Sequence, residues 1–171
     1  MMESSRLASY VASVVLHDLA SPVQGLMSGA EMAFDDALGG GMKKDGEKLL
    51  QEQIRVIRGK IDFMRLALGS QAIDEGQANL AAARQSTDRM FEDMRKPAPT
   101  WRLETQNLSN LHLRLLLNMV YLLKEPAAKG ALTVSVREEG DQLVMQASGQ
   151  PGAFKTDVLA ALEGRKPDRG W

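Results

Sequence analysis

The 171 residues contain no cysteine. A disulfide framework and a thiolate metal site are therefore both excluded, and the absence fits a reducing compartment. Histidine is almost as scarce. There are two, His17 and His112, and they lie far apart on different elements, so no cluster with metal-ligand spacing emerges and no metal site is expected. Charge of one sign is also lacking. Lys and Arg number 21 against 22 Asp and Glu, a formal charge of −1. That balance, with no basic stripe, argues against a surface that neutralises nucleic-acid phosphates. No apolar run approaches the roughly 20 residues that a membrane helix needs, and the N-terminal stretch MMESSRLASYVASVVLHDL is too polar for a leader. The expectation is a cytoplasmic protein with neither a nucleic-acid nor a membrane partner. What remains is an ordinary globular composition, 44% hydrophobic and 25% charged, long enough for one domain or two small ones.

Helical signals dominate the first half. From Ser4 to Leu38, Leu7, Val11, Val14, Ala30, Phe34 and Leu38 recur at helical spacing. Gly39, Gly40 and Gly41 are expected to stop this helix, with a polar turn over Met42 to Gly46 and Asp45 as the N-cap of the next one. Leu50, Ile54, Ile57, Ile61, Met64 and Leu68 then form a heptad seam that ends at Gly69. Two long helices joined by a short loop make an antiparallel hairpin. A lone hairpin cannot bury both apolar faces, so pairing with a second copy into a four-helix bundle, a homodimer, is expected.

The second half changes character. A shorter helix is expected over Ala78 to Met94, followed by a turn or linker at Lys96-Pro97-Ala98-Pro99. This segment is the expected seam between the hairpin and the rest. Thr100 to Thr105 alternates as a strand, with Trp101 and Leu103 inward. Ser109 to Lys124 returns to helix, with Leu111, Leu115, Met119 and Leu122 on one face. LTVSVRE and QLVMQA read as two strands joined by a hairpin turn at Glu139-Gly140-Asp141, and Thr156 to Glu163 reads as a last helix. The ten methionines read as core filler. The fold class is α+β, with a helical hairpin over residues 1–76 and a small α/β domain over 77–171.

One stretch of the first helix stands apart, LHDLASPVQG (Leu16 to Gly25). His17 lies off the stripe that runs from Leu7, Val11 and Val14 to Asp18 and Ser21, so its imidazole is presented outward as a nucleophile. Asp18 supplies an adjacent carboxylate, although neighbours on a helix point about 100° apart and need not touch. Pro22 has no N–H for the carbonyl of Asp18, four residues back, and its ring crowds that oxygen. An interior proline costs about 3 kcal/mol. The helix is expected to bend there and to leave that carbonyl without its partner. Ser21, Gly25, Ser28 and Gly29 follow as a small-residue face on which another protein's backbone could lie.

His17-Asp18-Leu19-x-x-Pro22 resembles the phospho-acceptor box of histidine kinase dimerisation domains. The wider stretch HDLASPVQGLMSGAEM more closely resembles the ChpT-type histidine phosphotransferases of alphaproteobacteria. The long hairpin and its glycine turn carry the resemblance further, over most of the chain. It implies a dimeric four-helix bundle whose exposed histidine, here His17, takes a phosphoryl group from one receiver-domain aspartate and passes it to another. Asp18 would orient the ring. The implied partners are receiver domains of a hybrid histidine kinase and of response regulators, and the implied receiver contacts are Ser21, Gln24, Gly25, Ser28 and Met32 on the first helix and Arg55, Arg58, Gly59 and Asp62 on the second. No resident cofactor is implied, because the receiver brings its own magnesium.

The resemblance also implies that the second domain derives from a kinase ATP-binding domain, and here the chain departs from the pattern. Asn118 matches an upstream asparagine of that domain, but the later metal-coordinating position is Leu122. Where an Asp-x-Gly-x-Gly loop would contact adenine, the chain reads Ala147-Ser148-Gly149-Gln150-Pro151. No glycine-rich lid follows before Trp171, where a further strand and helix would ordinarily continue. A degenerate domain with no nucleotide site is therefore expected, and with it no ATP-dependent autokinase activity. The alternative from another class is a non-catalytic dimeric scaffold that docks a response regulator or kinase. Replacement of His17 discriminates the two.

Overall fold

The computed structural model describes residues 4–69, 79–104, 108–124, 132–139 and 142–149, with Phe154, Thr156, Leu159, Ala160 and Glu163, some of them by backbone alone. The chain divides into two compact units, Met1–Met64 and Arg65–Trp171. The division falls inside the second helix. The Lys96–Pro99 segment is not the seam, since it joins two elements of the second unit.

The first unit is a hairpin of α1 (Ser4–Phe34) and the greater part of α2 (Gly40–Leu68). Gly25 lies against Gln53, Gly29 against Leu50, and Gly46 against Ala33. The pairings run in opposite order along the two helices, so the helices are antiparallel. They are held close because side chains are missing at the contact. A Cβ on Gly46 would fall 2.6 Å from the Ala33 backbone nitrogen and 2.9 Å from the Gly29 carbonyl oxygen. A Cβ on Gly29 would fall 3.0 Å from the Leu50 nitrogen. The glycines of α1 expected to face a partner protein are thus consumed within the hairpin, with Gly29 buried and Gly25 half-buried.

The connection differs from expectation. α1 ends at Phe34, four residues before Leu38, and Gly40 and Gly41 already belong to the first turn of α2. The stretch Met42 to Gly46 is helical, so Asp45 is no N-cap. The reversal is made instead by two aspartates. The Asp35 carboxylate accepts the Ala37 N–H at 2.8 Å, an Asx turn, and the Lys43 ammonium donates to Asp36 at 2.8 Å. Gly39 then offers its carbonyl to the N–H groups of Met42 and Lys43. Gly69 follows the end of α2 as expected, donating to the Arg65 carbonyl at 3.0 Å.

The second unit holds the last turn of α2, then α3 (Leu80–Asp93), β1 (Thr100–Leu103), α4 (Asn110–Leu122), β2 (Leu132–Glu139) and β3 (Gln142–Gly149). Asn79 caps α3 by accepting the Ala82 N–H at 3.0 Å, and Ser109 caps α4 by accepting the His112 N–H at 3.1 Å. The sheet order is β1-β2-β3. β1 and β2 are parallel, with α4 in the crossover, and β2 and β3 form an antiparallel hairpin in which Val136 faces Met145. Thr156, Leu159 and Ala160 are helical. The turn at Gly140 and Asp141 lies outside the described residues.

The core of this unit takes Ala83, Met90 and Phe91 from α3, Trp101 from β1, and Val134 and Val136 from β2. From α4 it takes Leu113, Leu116, Leu117 and Val120, not the expected face. Leu111 and Leu115 are 63% and 48% exposed. α4 is apolar on most sides, so composition alone does not choose the stripe that turns inward. Methionine as core filler likewise holds for Met90 but not for Met27 and Met42, which are about half exposed.

α3 ends in a Schellman motif. Arg95 N–H donates to the Glu92 carbonyl and Lys96 N–H to that of Phe91, at 2.8 and 2.9 Å, with Arg95 in the left-handed region at φ 55°. Arg95→Gly is therefore expected to raise unfolding stability by about 1 kcal/mol, because the left-handed conformation strains a side-chain-bearing residue by roughly that amount. In the hairpin, Gly46→Ala is expected to lower stability by about 1–2 kcal/mol in urea unfolding despite its better helix propensity, since the added methyl meets backbone. Gly41→Ala, whose added methyl would meet nothing within 4 Å, is expected to raise it by about 0.5 kcal/mol. Equal effects at positions 46 and 41 would contradict the close approach.

Candidate functional site

The candidate site is built on the outward side of α1. His17 stands near the middle of this helix with its side chain 88% exposed, whereas that of Asp18 is 20% exposed. The hairpin explains the difference: Val15, Asp18, Leu19 and Pro22 lie toward α2, and Leu16, His17, Ala20 and Ser21 lie toward solvent. The two side chains nevertheless meet. His17 Nδ1 lies 3.6 Å from Asp18 Oδ1, within ion-pair reach though longer than an ordinary hydrogen bond.

Pro22 is buried, and α1 continues through it as helix to Phe34. The carbonyl it deprives of a donor is not left without one. Lys60 Nζ, from α2, donates to the Asp18 backbone oxygen at 2.7 Å. The expected orphan is thus corrected by a cross-hairpin bond. An ammonium makes a stronger donor to a carbonyl than the amide it replaces. Lys60 was not among the residues singled out from the sequence. Its signal is present there only as a lysine on the inward face of α2, and it acquires meaning once the register of the hairpin is known.

The remaining site residues separate by exposure. Ser21 and Gln24 on α1 and Arg55 and Arg58 on α2 are exposed. The pairings of Asp18 with Lys60 and Gly25 with Gln53 put Arg58 within about one residue of the level of Ser21 and Arg55 within about one of Gln24. Gly25, Ser28, Met32 and Asp62 are half-buried, and Asp62 lies 4.0 Å from the Arg58 guanidinium. Gly59 is buried, so it presents no surface in this chain. His112 is half-buried on α4, and its backbone N–H donates to the Ser109 cap.

In the second unit, Asn118 is committed to backbone. Its Nδ2 donates to the carbonyls of Ala67 and Arg114, each at 2.8 Å. Arg114 Nη2 reaches the Leu68 carbonyl at 3.4 Å. α4 thus satisfies carbonyls that the last turn of α2 leaves without helical donors. Leu122 is half-buried, and Ala147 and Ser148 are exposed on β3; Gln150 and Pro151 lie outside the described residues. Among the described residues no group of three or more His, Cys, Asp or Glu side chains is placed to hold a metal ion, and none of the helices is long and apolar enough to cross a membrane.

The fold has counterparts among known proteins. A bacterial phosphotransferase of known structure superimposes with a TM-score of 0.79, covering 100% of this chain and 81% of that one at 22% identity, a likeness of fold. The protein phosphotransferase ChpT of Brucella abortus (strain 2308) is 27% identical over 134 residues, which are 78% of this chain. The match spans 61% of that protein's length. Residues 80–170, just over half of the chain, match the family model of the histidine phosphotransferase C-terminal domain. The chain belongs to the histidine phosphotransferase C-terminal domain family.

Proposed function

We propose that this chain is a histidine phosphotransferase of a multistep phosphorelay, carrying a phosphoryl group on His17 between receiver-domain aspartates. The observation that carries the reading is an imidazole 88% exposed on an unbroken helix, with a carboxylate 3.6 Å from its Nδ1. With the Nδ1 proton turned toward Asp18, the neutral ring offers the Nε2 lone pair outward. That nitrogen attacks the phosphorus of an aspartyl phosphate in line. The N–P bond forms, the bond to the aspartyl oxygen breaks, and the aspartate leaves as carboxylate. Transfer to the second receiver is the reverse at a different aspartate. Catalysis here is presentation and orientation, and the divalent cation that shields the moving charge comes with the receiver.

Ser21 and Gln24 on one helix and Arg55 and Arg58 on the other form the exposed ledge beside His17 where a receiver docks, with Ser28, Met32 and Asp62 at its half-buried margin. The protein acts as a homodimer in the cytoplasm. Leu16, Val23, Met27 and Phe34 step by 7, 4 and 7 residues along α1, and Ile54 and Ile61 by 7 along α2. All six are exposed in the single chain, from 42% to 77%, and such rows are the seams of a helical bundle. The second unit takes no nucleotide, since the metal-coordinating position of the kinase pattern is Leu122 and the adenine-contacting carboxylate is replaced by Ala147.

Two measurements test this. Incubated with a phosphorylated receiver, the wild type is expected to take up label and His17→Ala to take up none; equal labelling of the two would place the phosphoryl group elsewhere, and tolerance of the substitution in the pathway would favour a scaffold. Calorimetry with ATP and magnesium is expected to give no heat of binding at micromolar nucleotide. Clear binding would restore an autokinase role.

A further inference from the structure

We infer that Lys60 is a positioning residue for His17, replacing with its ammonium group the backbone N–H that Pro22 removes from α1. In an uninterrupted helix the carbonyl of Asp18 would accept the N–H of residue 22, and proline has none. Lys60 Nζ stands 2.7 Å from that oxygen, and the residues on both sides of the contact are half-buried. A backbone carbonyl half-withdrawn from water is unfavourable to leave unmet. The peptide that carries this oxygen joins Asp18 to Leu19, so holding it fixes the turn from which both His17 and Asp18 project.

The contact depends on the close packing of the hairpin. Gly25, Gly29 and Gly46 bring the two helices close enough for a lysine to reach across. The register of these contacts sets Lys60 opposite Asp18. Pro22 is itself buried, which limits the access of water to the gap it leaves. Proline and lysine therefore act as a pair. One opens a gap in the hydrogen-bond ladder, and the other closes it with a charged group from the facing helix. The ring of His17 is left exposed on a turn that is held from behind.

This inference rests on the reading that His17 accepts a phosphoryl group, and the test separates the two. Single-turnover transfer from a phosphorylated receiver is followed at varied protein concentration for the wild type, Lys60→Met and Lys60→Arg, each with and without Pro22→Ala. Lys60→Met is expected to lower the maximal rate by about tenfold, the scale of a small misplacement of a reacting group, with the half-saturating concentration unchanged. Lys60→Arg is expected to recover most of the rate. When Pro22→Ala restores the N–H, the effect of Lys60→Met is expected to shrink to about twofold or less, the signature of coupled residues. An unchanged rate in Lys60→Met, or the same loss with and without Pro22→Ala, would overturn the inference. If the wild type takes no label on His17, the functional reading fails by itself. The same cycle read in urea unfolding then decides the pairing: coupled effects keep Lys60 as the donor to the released carbonyl, and additive effects remove it.

Discussion

A proline inside a helix removes one hydrogen bond, and the geometry of the first unit is organised around how that loss is made good. Pro22 deprives the carbonyl of Asp18 of its helical donor, and Lys60 supplies another from the facing helix at 2.7 Å. For this to happen the helices must be near and in the right register. Nearness comes from glycine, with Gly46 set against the backbone of Ala33 and Gly29. The register comes from the same glycine contacts, with a short reversal held by Asp35 and Asp36. With the ladder repaired, α1 runs on to Phe34, and His17 is displayed on its outward side.

The consequence for chemistry is a division between the two faces of α1. The inward face carries the constraints: a buried proline, the carbonyl bond and the glycine contacts. The outward face carries an exposed imidazole beside the likewise exposed Leu16, Ala20 and Ser21, with the Asp18 carboxylate 3.6 Å from its Nδ1. Under the proposed function, such an arrangement suits a group that two receivers reach in turn. The second unit contributes in another way. Its asparagine and arginine on α4 close carbonyls of the last turn of α2, so a side chain that resembles a nucleotide ligand in the sequence is a structural cap in the fold.

Much of this could be read from the sequence, and the failures have physical causes. The helical hairpin, the strands and the hairpin joining the last two strands follow from periodicities of 3.6 and 2 and a turn signal in this chain; the parallel pairing of β1 with β2 does not. Exposure of His17 followed from its place off the apolar stripe. The loop did not, because three consecutive glycines look like a helix stop, whereas Gly40 and Gly41 start the next helix once Asp35 and Asp36 have turned the chain. Setting the loop at Gly39 to Gly46 shifts the facing residue of Asp18 by about two helical turns, which hides Lys60 altogether. The small residues after Pro22 were legible as a place of close approach, but residue type does not say whether the approaching backbone belongs to a partner or to the same chain. The face of α4 was misjudged for a similar reason, since leucines on every side leave the choice to the sheet beneath.

The central claim is that the Lys60 ammonium holds the Asp18 carbonyl, and nuclear magnetic resonance of lysine ammonium groups reads it most directly. In protein labelled with nitrogen-15 and carbon-13, the Lys60 ammonium protons are predicted to exchange slowly with water and to show a scalar coupling through the hydrogen bond to the carbonyl carbon of Asp18. Exchange as fast as that of the exposed Lys44, with no such coupling, would contradict the account.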